Sequence, residues 1–248
     1  MARLSSGKRI NSGADDAAGL FITKRMATEI QGLNQAVRNA SDAQAYLATT
    51  EGALEEVHTI LLRIRELAVQ SSNGTYTTQD RVALQAEVTD LQSEINRIAT
   101  DTTFNNIGAL SGAASTGITF QIGADNTQTM TVSVSRSTIS AMGINISTAI
   151  QVLSAGGAMN YISTIDSAIS IVSTDRGTYA AAINRLDHAI ANMQNVATNL
   201  SMAKGRIEDA DFAAETSNLA RVQVLQQASM AMLAQANASK QNILSLFQ

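Results

Sequence analysis

The chain has 248 residues, no Cys, Pro or Trp, two His and a formal net charge of -4. Without cysteine there are no disulfides and no thiol chemistry, and an acidic balance with no basic run offers nothing to neutralise phosphates, so nucleic acid is not an expected partner. No stretch approaches the ~20 apolar residues of a membrane span, and positions 1–10 lack the apolar run of a cleaved leader; membrane insertion is not expected, and secretion would need a leaderless route.

Ser12-Gly13-Ala14-Asp15-Asp16 reads as a helix start, with Ser12 as the cap and the Asp pair at the positive end of the helix dipole rather than as a metal site. From there Met26, Ile30, Leu33, Val37, Ala40, Leu47, Leu54, Val57, Leu61, Ile64 and Ala68 form an apolar stripe at 3/4 spacing, uninterrupted by proline. A helix covering it rises ~1.5 Å per residue and reaches roughly 60 Å, too long for one compact core, so equally long partner helices are expected. Ser71-Ser72-Asn73-Gly74 stops it near Gln70, because Asn and Gly tolerate a left-handed cap.

Thr77-Thr78-Gln79-Asp80 begins a second helix with a capping box, and Leu84, Val88, Leu91, Ile95 and Ile98 repeat the spacing to about Thr102. The short turn between the two predicts an antiparallel pair. From Thr103 to Gly157 Gly, Ser, Thr and Asn dominate. Ile118, Phe120 and Ile122, then Met130, Val132 and Val134, alternate with period two around Asp125-Asn126, which predicts a β-hairpin. Glycines in this region match no phosphate-cradling motif, since no GK[ST] follows.

Helical spacing resumes at Ile162, Ile165, Ile169 and Val172 and continues through Tyr179, Ile183, Leu186, Ile190, Met193 and Leu200, a third long helix that closes a bundle. Gly205 and Glu208-Asp209-Ala210-Asp211 read as a bend and a recapped restart, not as a cation loop. In the last segment Leu219, Val222, Val224, Leu225, Met230, Met232 and Leu233 spread around the helix, and the chain ends apolar at Ile243, Leu244, Leu246 and Phe247. A helix apolar on several sides is buried on several sides. The expected fold is mainly α: an elongated bundle of long antiparallel helices with a small β-hairpin insert, plus a carboxy-terminal coiled-coil-forming helix. Its divisions are amino-terminal core helices 1–102, a short variable insert 103–157, a bundle helix 158–204 and a terminal helix 205–248.

His58 and His188 stand alone inside helices, and Glu55-Glu56 lies on a helix face where solvation explains it. With no HExxH, no GxSxG and no thiol nucleophile, no catalytic, metal or cofactor site is expected, and the protein does not read as an enzyme.

Arg3-Leu4-Ser5-Ser6-Gly7-Lys8-Arg9-Ile10-Asn11-Ser12, followed by Asp15-Asp16-Ala17-Ala18-Gly19-Leu20, resembles the amino-terminal core of bacterial flagellin. So do GLNQAVRNASDA at 32–43 and the stretch at 50–75. At the other end 195–237 and Leu244-Ser245-Leu246-Phe247 resemble its carboxy-terminal core, so only about 103–160 falls outside the likeness. The resemblance implies a structural subunit of the flagellar filament that self-assembles for motility, secreted unfolded by type III export, extracellular and without cofactors. Its helices would build an outer tube and its termini an inner coiled-coil tube, with Leu219, Val222, Leu225, Met232, Leu233, Ile243, Leu246 and Phe247 as the polymerising side chains. Implied partners are other subunits, an export chaperone, the filament cap and hook-junction proteins, and the Toll-like receptor that senses flagellin, through Arg63, Leu67 and Glu87.

A hook–filament junction protein of the same architecture is the alternative; a metallopeptidase insert finds no zinc-binding helix here, and for a glycan-binding module the insert is too small and too poor in aromatics. Family members carry a further amino-terminal helix before the RLSSG motif, whereas here Met1-Ala2 stands directly ahead of it. Either the chain was trimmed, which the abrupt Met favours, or it is a natural short variant; the expectation is that it builds its bundle and polymerises poorly, its apolar tail frayed, packed on another copy or held by a chaperone.

Overall fold

The computed structural model describes residues 2–110, 117–133 and 152–245, with side chains to residue 236. The helices are α1 (Ala2–Ser6), α2 (Ala17–Ser72), α3 (Thr78–Asp101), α4 (Ala155–Glu208) and α5 (Phe212–Ser245). The strands β1 (Thr103–Phe104), β2 (Ile107–Gly108), β3 (Ile118–Gln121) and β4 (Thr129–Val132) form two antiparallel pairs, β1 with β2 and β3 with β4. Two compact units result, Gly32–Asn195 and a second that joins Met1–Gln31 to Val196–Gln248.

In the first unit the core is a seam along α2. Ala36, Ala40, Ala43, Leu47, Thr50, Leu54, Val57, Leu61, Ile64, Ala68 and Ser71 alternate steps of four and three, and every one is at most 1 % exposed. That 3.5-residue average keeps one face turned toward a long partner. The apolar spacing foresaw most of this line and placed Val37 on it; Val37 is only half-buried, and Ala36, Ala43, Thr50 and Ser71 complete the seam. The Thr50 hydroxyl donates to the Tyr46 carbonyl at 2.9 Å, which lets a polar side chain lie in the seam without an unsatisfied group.

The facing helix α4 runs the opposite way. Gln44 donates to Asp187 (2.6 Å), Arg176 reaches Glu51 (2.8 Å) and Glu55, and Arg65 reaches Asp166 (2.7 Å), so positions rising along α2 meet positions falling along α4. Its buried line is Ala158, Tyr161, Ile165, Ala168, Val172, Tyr179, Ala182, Leu186 and Met193. Ile162, Ile169, Ile183 and Ile190, expected on that line, flank it half-buried.

Thr77 caps α3 through the predicted box: its side chain accepts from the Asp80 amide, while Asp80 accepts from the Thr77 amide at 2.9 Å. The buried face of α3 contains Val88, Ile95 and Ala99 together with Arg81 and Gln92, whereas Leu84, Leu91 and Ile98 sit half-buried beside it. Gln92 donates to the Tyr161 hydroxyl at 2.6 Å, and burial pushes that phenol up to about 12. Arg81 donates to Ser71 Oγ (3.1 Å) and to the Asn73 carbonyl (2.9 Å), tying the first turn of α3 to the end of α2. Ser71 in turn donates to the Val152 carbonyl, and Gln85 accepts from the Val152 amide at 3.0 Å, so the approach to α4 is anchored on both preceding helices.

The expected hairpin is β3–β4, with Ile118 opposite Val132 and Phe120 opposite Met130. Its connection is longer than Asp125-Asn126 alone: Ile122 lies past the end of β3 and donates to the Gln128 carbonyl at 2.9 Å, and Val134 lies outside the described residues. The loop seats on α2, where Asn39 donates to the Gln121 carbonyl at 3.2 Å. A Cβ at Gly32 would stand 3.0 Å from that of Ala124, so a larger residue there would press on the loop, which would have to give by a few tenths of an ångström. A second, tighter hairpin was not foreseen. Asn105 and Asn106 hold φ of 50° and 62° between β1 and β2, the paired left-handed geometry of a two-residue turn, which Asn tolerates better than most residues.

In the second unit the helix start differs from expectation. Ser12 donates through its amide (2.9 Å) and hydroxyl (3.2 Å) to Asp15, while Asp16 accepts the Gly19 amide at 2.9 Å immediately before α2. Asp16, not Ser12, therefore caps α2, because α2 begins four residues later than the cap reading implied. Helix α4 continues through Gly205, and the break falls at Asp209–Asp211, where Asp211 accepts the amides of Ala213 (3.0 Å) and Ala214 (3.1 Å) to start α5.

Burial of the α2 seam carries the stability of the first unit. Leu61→Ala, at a site 0 % exposed, is expected to cost about 2–5 kcal/mol in urea unfolding followed by circular dichroism. Leu62→Ala, one position along and 48 % exposed, should stay within about 0.5 kcal/mol of the parent.

Candidate assembly surface

Helix α5 exposes what the other long helices bury. Val222, Val224, Leu225, Met230, Met232 and Leu233 are 59–75 % exposed, Phe212 ahead of them is 62 % exposed, and Leu219 is half-buried. At 3.6 residues per turn these positions fall around most of the helix circumference, so no single neighbouring helix could cover them. Side chains of Ile243, Leu246 and Phe247 lie outside the described residues. No helix of the described residues is long and apolar enough to cross a membrane.

Just before α5 the chain is clasped. Arg9 donates its amide to the Glu208 carbonyl (2.7 Å) and a guanidinium N–H to the Ile207 carbonyl (2.8 Å), and the Ala210 amide donates to the Gly7 carbonyl (3.0 Å). This antiparallel bridge places Lys8 Nζ 2.5 Å from the Glu208 carboxylate, which Lys204 also approaches at 3.5 Å. The Lys8 hydrogen bond holds the Glu208 carboxyl below the usual carboxylate range. The acidic cluster at 208–211 thus serves backbone pairing and capping.

Arg63 and Glu87 join α2 to α3 on the surface, with Arg63 Nη2 2.8 Å from Glu87 and Nη1 2.6 Å from Glu66. Leu67, grouped with them from the resemblance, is 1 % exposed and packs inside the bundle. No group of three His, Asp or Glu among the described residues is placed to hold a metal ion. His188 is exposed, and His58 is half-buried with Nδ1 unpartnered among the described residues.

Both ends of the chain match known proteins. Residues 1–115 match the bacterial flagellin N-terminal helical region, and residues 162–247 match the bacterial flagellin C-terminal helical region. The chain belongs to the bacterial flagellins. A flagellin of Halalkalibacterium halodurans is 42 % identical over 248 residues, covering 100 % of this chain and 90 % of that protein. The flagellar filament core protein flaB2 of Brachyspira hyodysenteriae is 40 % identical over 259 residues, covering 100 % and 91 %. Among solved structures, Bacillus cereus flagellin superposes with a TM-score of 0.55 at 32 % identity, over 67 % of this chain and 94 % of that one. A Vibrio parahaemolyticus protein described as flagellar hook-associated shares the fold, with a TM-score of 0.63 at 16 % identity over 79 % of this chain and 100 % of that one.

This flagellin is therefore a structural, non-enzymatic subunit of the flagellar filament, secreted and extracellular, that assembles with other flagellins for motility.

Because its carboxyl is depressed, Glu208 stabilises the clasp above its ordinary value of 4.5 and loses that contribution as pH falls through the lowered one. Thermal melts between about pH 5 and pH 2 should fall more steeply for the parent than for Glu208→Gln, which has no carboxylate left to protonate.

Proposed function

We propose that this flagellin polymerises through α5, with Leu219, Val222, Leu225, Met232 and Leu233, and with Ile243, Leu246 and Phe247 beyond them, as the side chains buried between subunits. The observation that carries this reading is an apolar helix whose side chains at 222–233 stand mostly in water in the single chain. Fully burying one such side chain is worth about 1.5–3 kcal/mol, so several per subunit outweigh the entropy of ordering a neighbour. On this reading residues 1–102 and 158–204 supply the outer tube, 103–157 the exposed insert and 205–248 the inner tube. Before assembly the same apolar surface would be the one an export chaperone shields, and at the filament ends the one that meets cap and hook-junction proteins.

The test is polymer yield. Val222→Ser, Leu225→Ser and Leu233→Ser combined should keep the helicity and thermal melt of the parent but remove pelletable polymer under conditions where the parent forms it, as read by ultracentrifugation. Equal pellet from both chains would overturn the assignment.

Arg63 and Glu87 are the exposed pair through which the flagellin-sensing Toll-like receptor would bind, with Leu67 supporting the face from within. Exposed ion pairs contribute only about 0–1 kcal/mol to folding, so removing this one leaves the bundle standing. Arg63→Ala and Glu87→Ala should each lower receptor activation in a reporter cell line at unchanged helicity. Leu67→Ala should act by loosening the bundle, and is read out as a lowered Tm.

A further inference from the structure

Tyr46, Phe104 and Phe120 line one cavity of about 350 Å³ within the Gly32–Asn195 unit, together with Asp42, Asn105, Ile107 and Ile118. The Tyr46 ring meets Phe104 edge-on, with centroids 5.9 Å apart at 82°, and Phe120 at a tilt, 6.2 Å apart at 51°. Tyr46 is itself 2 % exposed and packed against both phenylalanines, so the open aromatic surface of the cavity is that of Phe104 and Phe120. Phe104, Phe120 and Ile118 are half-buried and Ile107 is 44 % exposed, so these apolar surfaces are incompletely covered within the chain. Asp42 is exposed. Arg38, one turn earlier on α2, directs its guanidinium to Gln35 at 2.6 and 3.0 Å, and so does not neutralise that carboxylate through a hydrogen bond.

Aromatic faces carry negative electrostatic potential, and the carboxylate adds a full charge of the same sign. A cavity with two partly open phenylalanine rings and such a rim rewards a positive group that is bulky, apolar at its surface and weakly hydrated. A bare ammonium or metal ion surrenders too much hydration, and a neutral apolar group gains nothing from Asp42. We propose that this cavity binds a methylated ammonium group. The site shares no residue with α5, so its failure and the failure of the polymerisation reading are separate outcomes.

The full chain is titrated with choline at constant ionic strength while the aromatic side-chain resonances are followed by NMR, and 3,3-dimethylbutan-1-ol serves as the uncharged isostere. Saturable shifts at Tyr46, Phe104 and Phe120 are expected, with choline binding at least about fivefold tighter than the isostere. Asp42→Asn, a change at an exposed site whose folding is checked by circular dichroism, should remove most of that preference while leaving the isostere unaffected. Phe104→Leu, which keeps the apolar volume, should weaken choline more than the isostere. A parallel titration with an Nα-acetyl-trimethyllysine amide identifies the source: tighter binding than choline supports a modified side chain as the occupant, and equal or weaker binding supports a free small cation. Equal affinity for choline and its isostere, no saturable shift at the three rings, or unchanged choline binding in Asp42→Asn would each overturn the proposal.

Discussion

The seam from Ala36 to Ser71 on α2 is the constraint on which the larger unit depends. Its alternating steps of four and three turn one narrow face toward α4 for the whole distance, and a stripe of that length is satisfied only by a partner of matching length running alongside. The ion pairs that cross between the two helices, such as Arg65 with Asp166 and Arg176 with Glu51, have side chains 29–49 % exposed. They set direction and register more than they add stability, since water screens them. Burial of Leu47, Leu54, Leu61 and Ile64 on one side and Ile165, Val172 and Leu186 on the other supplies the energy.

Buried polar groups of α3 and α4 beside that seam explain why the helices pack in one arrangement and not several. Gln92 meets Tyr161, and Arg81 meets Ser71 and the Asn73 carbonyl, each across a different pair of segments. A shift of one helix by a turn would leave these groups buried without partners, at a cost of about 1–3 kcal/mol each, so they penalise the slipped registers that apolar contacts alone would tolerate. Small residues perform a related task at the other end of the seam: Ala36, Ala40 and Ala43 keep the helix surface thin, and Gly32 admits the hairpin loop.

Helix α5 follows the opposite logic. Its apolar side chains from Val222 to Leu233 form no seam and stand mostly in water in the single chain, the kind of surface that marks an interaction site. The filament subunit thus combines helices that are finished internally with one that is not. The clasp of residues 7–10 on 207–210 stands immediately before α5 and is made by backbone hydrogen bonds.

Much of this was legible in the amino-acid order. Absence of proline, 3/4 spacing and the Thr77 capping box determined the long helices and their hairpin, and period-two alternation the presence of a β-hairpin, because these are local rules of backbone geometry and periodicity; the register of that β-hairpin followed from the longer connection. Family motifs at both ends carried the identity. The tertiary structure alone decided which of two neighbouring apolar lines faced inward. On α4 Ala168 and Ala182 joined the expected Ile165, Val172, Tyr179 and Leu186 in the core while Ile169, Ile183 and Ile190 did not, and on α3 Arg81 and Gln92 entered the core. Hydrophobicity ranks residues one at a time, whereas the available space and the hydrogen-bond partners at each level of the bundle belong to the neighbouring helix. Asp16 replaced Ser12 as the cap because α2 begins only at Ala17, and the Asn105-Asn106 turn came to hold Phe104 against Tyr46 of α2.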